Sequence, residues 1–305
     1  MTRLICVKVL AALAVLSVAP WAAAEPAADS VDCGKLVADV GSAYVTVKYV
    51  LKMEGQFGNR ETEAEITGIM IDPSGIVLCG NTRLGSQRMM RQMGGSATPT
   101  DIKVLIGDDT EGLEARVMAR DSELDLAWVQ IKKPGDRKFV CLDLNKSAAP
   151  VVGQHIVALR KMAKYFDRAL VLSEGRIGGK TRKPRDLLVP TGALALEPGL
   201  PIFTPAEQIV GIVVVQMPDE DELANMTFTG IGRDISNGLI LPVAEVVKAT
   251  ARAKEAHRND DDSDDDDKKA DAKSEKSAKT AGSDAKEKKD KKKSGDEDDD
   301  DDKDE

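Results

Sequence analysis

Histidine is scarce in this sequence. Only two of the 305 residues are histidine, His155 and His257. Chemistry that needs an imidazole as general base near neutral pH therefore has few candidate residues. The cysteines do not lie at metal-ligand spacing, and both histidines are far from them along the chain. We therefore expect neither a metal site nor a cofactor.

A concentrated basic stripe is also missing. The chain has 43 basic and 52 acidic residues, a net charge of −9. Residues 259–305 carry 21 acidic and 12 basic side chains, so this segment accounts for the whole net charge. The remainder is neutral, and nothing in it suggests a nucleic-acid surface, which would be seen as a concentrated basic stripe.

Cysteines are few, and their number limits the disulfides. The chain has four, and Cys6 lies in the N-terminal apolar segment. Cys33, Cys79 and Cys141 remain, an odd number that leaves at least one thiol free even in an oxidising compartment. Burial as small apolar side chains is the simpler interpretation. Cys79 and Cys141 are the candidate pair for a disulfide, because both lie in or beside strands of the first half.

The N-terminus has the pattern of an export signal. Met1-Thr2-Arg3 is a short basic start, an apolar run follows from Val9 to Ala23, and Ala22-Ala23-Ala24 offers a cleavage site. The run is shorter than a spanning helix needs. We expect residues 1–24 to be a signal peptide and the protein to be periplasmic or extracellular. An uncleaved signal is the alternative, and only this alternative gives a membrane contact.

The central part of the chain predicts an all-β domain. Short strands recur with turns between them, and Asp72-Pro73-Ser74-Gly75 has the residues of a tight hairpin turn. Residues 85–100 are predicted to form a loop. A helix is expected from Pro242 to His257, with Pro242 in its first turn. The predicted organisation is an N-terminal segment over 25–40, weakly helical, and a folded domain over 41–257.

The C-terminal segment, residues 258–305, is predicted to be a disordered tail. Beyond Arg258 it has no aromatic residue and no Ile, Leu, Val or Met, and it alternates Asp runs with Lys clusters. Such a segment cannot bury enough apolar surface to offset its ordering entropy. We expect an interaction or solubility arm for a basic partner; the alternative is an intramolecular plug that docks on the folded domain.

Several segments in order resemble HtrA/Deg-like trypsin-type serine proteases. Residues 67–78 resemble the strand–turn–strand before the base histidine, and 121–129 resemble the Asp-Leu-Ala segment of the orienting aspartate. Residues 197–212 resemble the nucleophile loop with its following strand, and Gly230-Ile231 through 239–243 resemble the last strand and helix. The resemblance covers about residues 40–255 and implies two trypsin-like six-stranded β-barrels with a short C-terminal helix.

The catalytic residues that the resemblance implies are missing. The histidine position falls on Thr82, whereas the aspartate is present as Asp125. Where the family has Gly-Asn-Ser-Gly-Gly-Pro, Gly199 is followed directly by Leu200-Pro201, so about three residues are absent, including the serine. Thr82, Asp125 and Leu200 are thus vestigial triad positions. We expect Asp125 to be buried and bonded to the Thr82 hydroxyl, to backbone N–H groups or to Arg83.

Two functions fit this pattern. The first is a catalytically inactive scaffold or binding protein that takes a protein or peptide ligand in the vestigial cleft, by addition to a strand edge. The second is an active HtrA-like endopeptidase with a misaligned or non-standard site. Cys79 and Ser173 are the other candidate nucleophiles, but neither has a histidine nearby in sequence. His155 lies in an apolar strand, where we expect a packed core side chain.

Overall fold

A computed structural model describes residues 33–55, 58–85, 94–216 and 238–259. The predicted signal peptide and almost all of the predicted tail lie outside these ranges, as do residues 86–93 of the predicted loop. Gly230-Ile231 of the last resembling segment also lies outside them. The structure therefore bears on the folded domain.

The described residues form twelve strands, with an α-helix before the first strand and another after the last. In chain order the elements are α1 (Cys33–Val40), β1 (Tyr44–Glu54), β2 (Arg60–Asp72), β3 (Ile76–Gly80), β4 (Ser96–Leu105), β5 (Leu113–Asp121), β6 (Leu126–Ile131), β7 (His155–Lys161), β8 (Leu170–Lys180), β9 (Leu188–Gly192), β10 (Pro201–Phe203), β11 (Ile209–Val214), β12 (Leu239–Pro242) and α2 (residues 243–259).

The strands close into two antiparallel barrels of six strands. The first has the order β1-β2-β3-β6-β5-β4 and the second the order β7-β8-β9-β12-β11-β10. Each barrel is closed by its first and fourth strand, β1 with β4 and β7 with β10. The two halves therefore repeat one topology. The predicted fold class, all-β with two six-stranded barrels and a C-terminal helix, is confirmed.

Strands that face both a barrel interior and the other barrel have no polar face. In β3, Val77 and Cys79 point into the first barrel, whereas Ile76 and Leu78 join the core between the barrels. All five residues of β3 are buried. Because successive side chains of a strand point to opposite sides, this burial requires apolar residues at every position. The seam between the barrels is therefore a core of its own.

Both helices lie on this seam. Leu36 of α1 and Val246 of α2 are fully buried in its core. Trp128 of the first barrel is also buried there, and its indole N–H donates a 3.1 Å hydrogen bond to the Thr250 hydroxyl of α2. Helix α2 follows the last strand of the second barrel, so this bond ties the two halves together.

Local boundaries differ from the sequence-based prediction in three places. Residues 96–100 were predicted to be loop, but they belong to β4, which pairs with β1 along this stretch. Backbone pairing on one edge tolerates the polar residues there. Pro242 is the last residue of β12, paired with Gly211, and not part of the first helical turn. The helix extends to residue 259, two residues beyond the predicted domain end.

The turn between β2 and β3 is as predicted. The Gly75 N–H donates to the Asp72 carbonyl at 3.0 Å, and the Ser74 N–H donates to the Asp72 carboxylate at 2.9 Å. Gly75 has φ +88°, a left-handed conformation that glycine adopts without steric cost. This hairpin leads β3 toward the residues of the candidate site.

Candidate functional site

Thr82 and Asp125 meet at the end of β3, where β6 begins. The Asp125 Oδ1 atom accepts hydrogen bonds from the Thr82 N–H at 2.7 Å and from the Thr82 hydroxyl at 2.5 Å. Its Oδ2 atom accepts from the Val215 N–H at 2.8 Å, across the seam. The structure thus places a threonine hydroxyl directly against the aspartate. The predicted contact between these two residues is confirmed.

The Asp125 carboxylate is buried, with 3% of the residue exposed. Burial raises the pKa of Asp125, and the three hydrogen bonds from Thr82 and Val215 oppose this shift. A buried carboxylate without donors would be costly, and these bonds provide the compensation. Asp125 also has φ +55°, and its carbonyl accepts the Asn81 N–H at 3.0 Å. The side chain and the backbone of Asp125 therefore both fix the turn that follows β3.

Arg120 holds the same turn from its other side. Its guanidinium donates to the Asn81 side-chain oxygen at 3.2 Å, to the Gly85 carbonyl at 2.9 Å and to the Leu84 carbonyl at 3.1 Å. The Tyr49 hydroxyl donates to the Arg83 carbonyl at 2.5 Å. The turn over residues 81–85 is thus bonded at nearly every residue, which leaves it little freedom to rearrange.

The segment around Gly199 lies directly on β3. Gly199 has φ +90°, and a Cβ atom at this position would lie only 2.1 Å from the Gly80 nitrogen. A Cβ atom on Gly80 would in turn lie 2.8 Å from the Pro198 carbonyl oxygen. The two backbones are therefore in contact without an intervening side chain. Leu200 is buried to 1% exposure in the seam core. The segment presents no hydroxyl or thiol to Asp125 or Thr82.

The backbone N–H groups of this segment are already bonded. The Gly199 N–H donates to the Val213 carbonyl at 2.7 Å, and the Leu200 N–H donates to the Glu197 carbonyl at 3.2 Å. Pro201 has no N–H. An oxyanion hole requires N–H groups that converge on a developing negative charge. Neither N–H of this turn is directed at such a site.

A second carboxylate, not predicted as a site residue, is partly buried where the Gly199 segment meets β2. The Glu197 carboxylate accepts from the Thr67 hydroxyl at 3.3 Å and, at a long 3.5 Å, from the Thr67 N–H. Burial raises the pKa of Glu197. Burial and the nearby Glu197 charge also raise the pKa of Tyr44 well above its ordinary range. The Tyr44 hydroxyl is buried without a hydrogen-bond partner among the described residues.

The two histidines lie outside this cluster. His155, at the start of β7, has a side chain that is 20% exposed, with its Nε2 atom 3.2 Å from the Glu174 carboxylate. The expectation of a packed core histidine is therefore wrong, because this side chain is partly exposed and lies beside the Glu174 carboxylate. His257 in α2 lies 2.9 Å from the Arg116 guanidinium.

The other candidate nucleophiles, Ser173 and Cys79, contact backbone groups away from Asp125 and Thr82. The Ser173 hydroxyl accepts the Ala195 N–H at 2.9 Å. Cys79 and Cys141 are both free thiols, so the predicted disulfide is absent from the structure. Cys79 points into the first barrel and lies 3.7 Å from the Ala127 carbonyl, whereas Cys141 lies 3.3 Å from the Phe139 carbonyl in the linker. Two cysteines that lie in or beside strands of the same barrel need not direct their thiols toward each other, which is why the disulfide prediction failed.

Metal-ligand clusters and membrane-spanning helices are both absent from the described part of the chain. Across residues 33–55, 58–85, 94–216 and 238–259, no group of three or more His, Cys, Asp or Glu side chains could hold a metal ion. Neither of the described α-helices is long and apolar enough to cross a bilayer.

Comparison with known proteins gives one kind of match. No protein-family model matches the chain, and no curated protein matches it. Among solved structures, the crystal structure of Deg5 is similar to this chain with 17% sequence identity and a TM-score of 0.47, covering 70% of this chain and 90% of Deg5. A match at this identity and TM-score carries no information about activity, so the function must be argued from the geometry of the site.

Proposed function

We propose that this protein is an exported, catalytically inactive trypsin-like module that binds a protein or peptide. The observation that carries the proposal is the bonding of Asp125. Its two oxygens accept hydrogen bonds from Thr82 and from Val215, and no imidazole takes part. A threonine hydroxyl cannot act as a base near pH 7, so this pair cannot activate a nucleophile.

The packing of Gly199 supports the same conclusion. A nucleophile needs a side chain beside the base, and an oxyanion hole needs unoccupied N–H donors. The segment over residues 197–201 supplies neither, since its backbone lies against Gly80 and its N–H groups bond within the second barrel. Catalytic groups act as a unit, so the loss of base, nucleophile and oxyanion hole together leaves little residual rate.

An exposed aromatic pair supports a binding role. Tyr165 and Phe166 lie between β7 and β8, are 90% and 54% exposed, and contact each other edge to face with ring centroids 5.1 Å apart. Large aromatic side chains are enriched at protein interfaces and dominate their energetics. An exposed pair of this kind is a suitable anchor for a partner.

A salt bridge ties the loop of the aromatic pair to the first barrel. Arg168, two residues after Phe166, forms a salt bridge with Glu65 of β2 in which both nitrogens lie 2.9–3.3 Å from the carboxylate. Glu65 is two residues before Thr67, the residue that bonds Glu197, so both side chains project from the same face of β2. The loop that carries the aromatic pair is therefore anchored to the first barrel, and an anchored position reduces the entropy lost on binding.

The proposal is tested by partner capture with full-length protein. Phe166→Ser together with Tyr165→Ser removes the aromatic anchor, and we expect capture of the partner to fall by at least about tenfold, since hot-spot residues contribute about 2 kcal/mol or more. Val151→Ser with Val152→Ser is the matched control, because both valines are also exposed and lie before the opposite end of β7. Equal capture by both variants and wild type would remove the argument for this surface.

Export is tested separately, by determining the N-terminus of the purified protein. We expect cleavage after Ala24, so that the mature chain begins at Glu25. A protein that retains Met1 and stays in the cytoplasmic fraction would contradict the export part of the proposal. The binding part does not depend on this result.

A further inference from the structure

The first barrel has an open slot between β4 and β5. The two strands pair at only two positions, Lys103 with Glu114 and Val104 with Leu113. Beyond these pairs the strands separate and line a cavity of about 490 Å³. Asp101, with φ +50°, lies where β4 begins to diverge. Strand edges that lack a partner expose N–H and C=O groups to which an added extended segment can bond.

The lining of this β4–β5 slot carries more positive than negative charge. Its basic residues are Lys103, Arg116, Arg120 and Lys132, and its acidic residues are Asp101 and Glu114. Lys132 and Glu114 lie 3.9 Å apart and offset each other. The hydrogen bonds of Arg120 go to a side-chain amide and two carbonyls, which leave its positive charge without a compensating carboxylate in these contacts. The slot therefore suits an acidic, extended ligand.

Helix α2 brings an acidic segment of the same chain to this slot. The Arg116 guanidinium, which lines the slot, lies 2.9 Å from the His257 ring. The helix is described to residue 259, and the next eight residues, 260–267, contain seven aspartates and one serine. An extended segment of eight residues spans up to about 26 Å. The acidic run thus starts three residues beyond a contact with the slot and is long enough to follow it.

We propose that residues 260–267 dock in the β4–β5 slot of their own chain. The aspartates pair with the basic residues of the lining, and the extended backbone lies along the unpaired strand edges. Exposed ion pairs are individually weak and are screened by salt. The docked segment is therefore weakly held and competes with other acidic peptides for the slot at low ionic strength.

Hydrogen exchange of the slot edges tests the proposal in full-length protein. One variant replaces the seven aspartates of 260–267 by asparagine. The matched control replaces the seven acidic residues of 296–302 by their amides, the same change of charge far from α2. We expect amides in 97–101 and 115–119 to exchange at least about threefold faster in the first variant than in wild type or the control. In 1 M salt the three proteins should exchange alike, because the screening length falls to about 3 Å.

Two results would overturn the proposal. Equal exchange in all three proteins at low salt would show that the tail does not cover the slot, which would then be open to a separate partner. Faster exchange in the 296–302 variant alone would assign the contact to the distal run. Neither result concerns Asp125, Gly199 or the aromatic pair, so neither result tests the proposed function.

Discussion

Substitution of Gly199 by alanine tests whether the segment over residues 197–201 closes the space beside Asp125. Two costs add in this variant. A left-handed conformation costs a non-glycine residue about 1–2 kcal/mol. A Cβ atom only 2.1 Å from the Gly80 nitrogen forces the two backbones apart, an overpacking that costs about 1–3 kcal/mol. The expected loss of stability is about 2–5 kcal/mol, which lowers Tm by about 4–20 °C for a domain of this size.

Gly153→Ala is the matched control for this variant. Gly153 has φ +89°, nearly the angle of Gly199, but a Cβ atom there meets nothing within 4 Å. The control should therefore lose only the roughly 1–2 kcal/mol that the left-handed conformation costs an alanine. Urea denaturation followed by circular dichroism gives both values. If Gly199→Ala is no less stable than Gly153→Ala, the segment has room beside β3, and the argument that it excludes a nucleophile fails.

Three further predictions concern the seam and the first barrel. Burial raises the pKa of Asp125, so its contribution to stability is present below the unfolded pKa near 3.9 and is lost as pH rises through the folded pKa. The free energy of unfolding of Asp125→Asn, measured by urea denaturation relative to wild type, should therefore rise between about pH 4 and 7.5. A fall in this difference over the same pH range would show that the pKa of Asp125 is not raised. The 3.1 Å hydrogen bond between the first barrel and α2 is removed by either Trp128→Phe or Thr250→Val, and each variant should lose about 1 kcal/mol of stability. The double variant should be less destabilised than the sum of the two single variants. Strict additivity would show that the hydrogen bond contributes nothing to stability. Cys79 is fully buried, and its pKa is raised to about 12. A thiol reagent at about pH 8 should therefore modify Cys141 before Cys79 in the folded protein, as measured by mass spectrometry. Modification of Cys79 first, or a disulfide between the two cysteines, would contradict the structure.

The barrels could be predicted because their strands alternate or are apolar throughout. Residues 76–79 and 209–214 read as buried strands, and the structure buries them on both faces. The Asp72–Gly75 turn was evident from its proline and glycine. The polar half of β4 was missed, because a strand that pairs along one edge needs no apolar pattern.

Within the candidate site, only contacts between segments that resemble the protease family could be predicted from the sequence. It brought Thr82 and Asp125 together, although they are 43 residues apart. It gave no means to place Glu197 against Thr67, 130 residues away, because a single carboxylate in an apolar stretch has no spacing pattern. The free thiols and the β4–β5 slot likewise depend on side-chain direction and strand divergence, which composition does not encode.

The central claim, that the protein has no hydrolase activity, is tested most directly by a serine-reactive fluorophosphonate probe combined with an unfolded casein substrate. Purified full-length protein is compared with an active trypsin-type protease as positive control. The account predicts that the probe labels no serine and that casein stays intact, because Asp125 faces a threonine and Gly199 is followed by Leu200. A labelled serine, identified by mass spectrometry, whose substitution by alanine abolishes casein cleavage would contradict the account and establish an active endopeptidase.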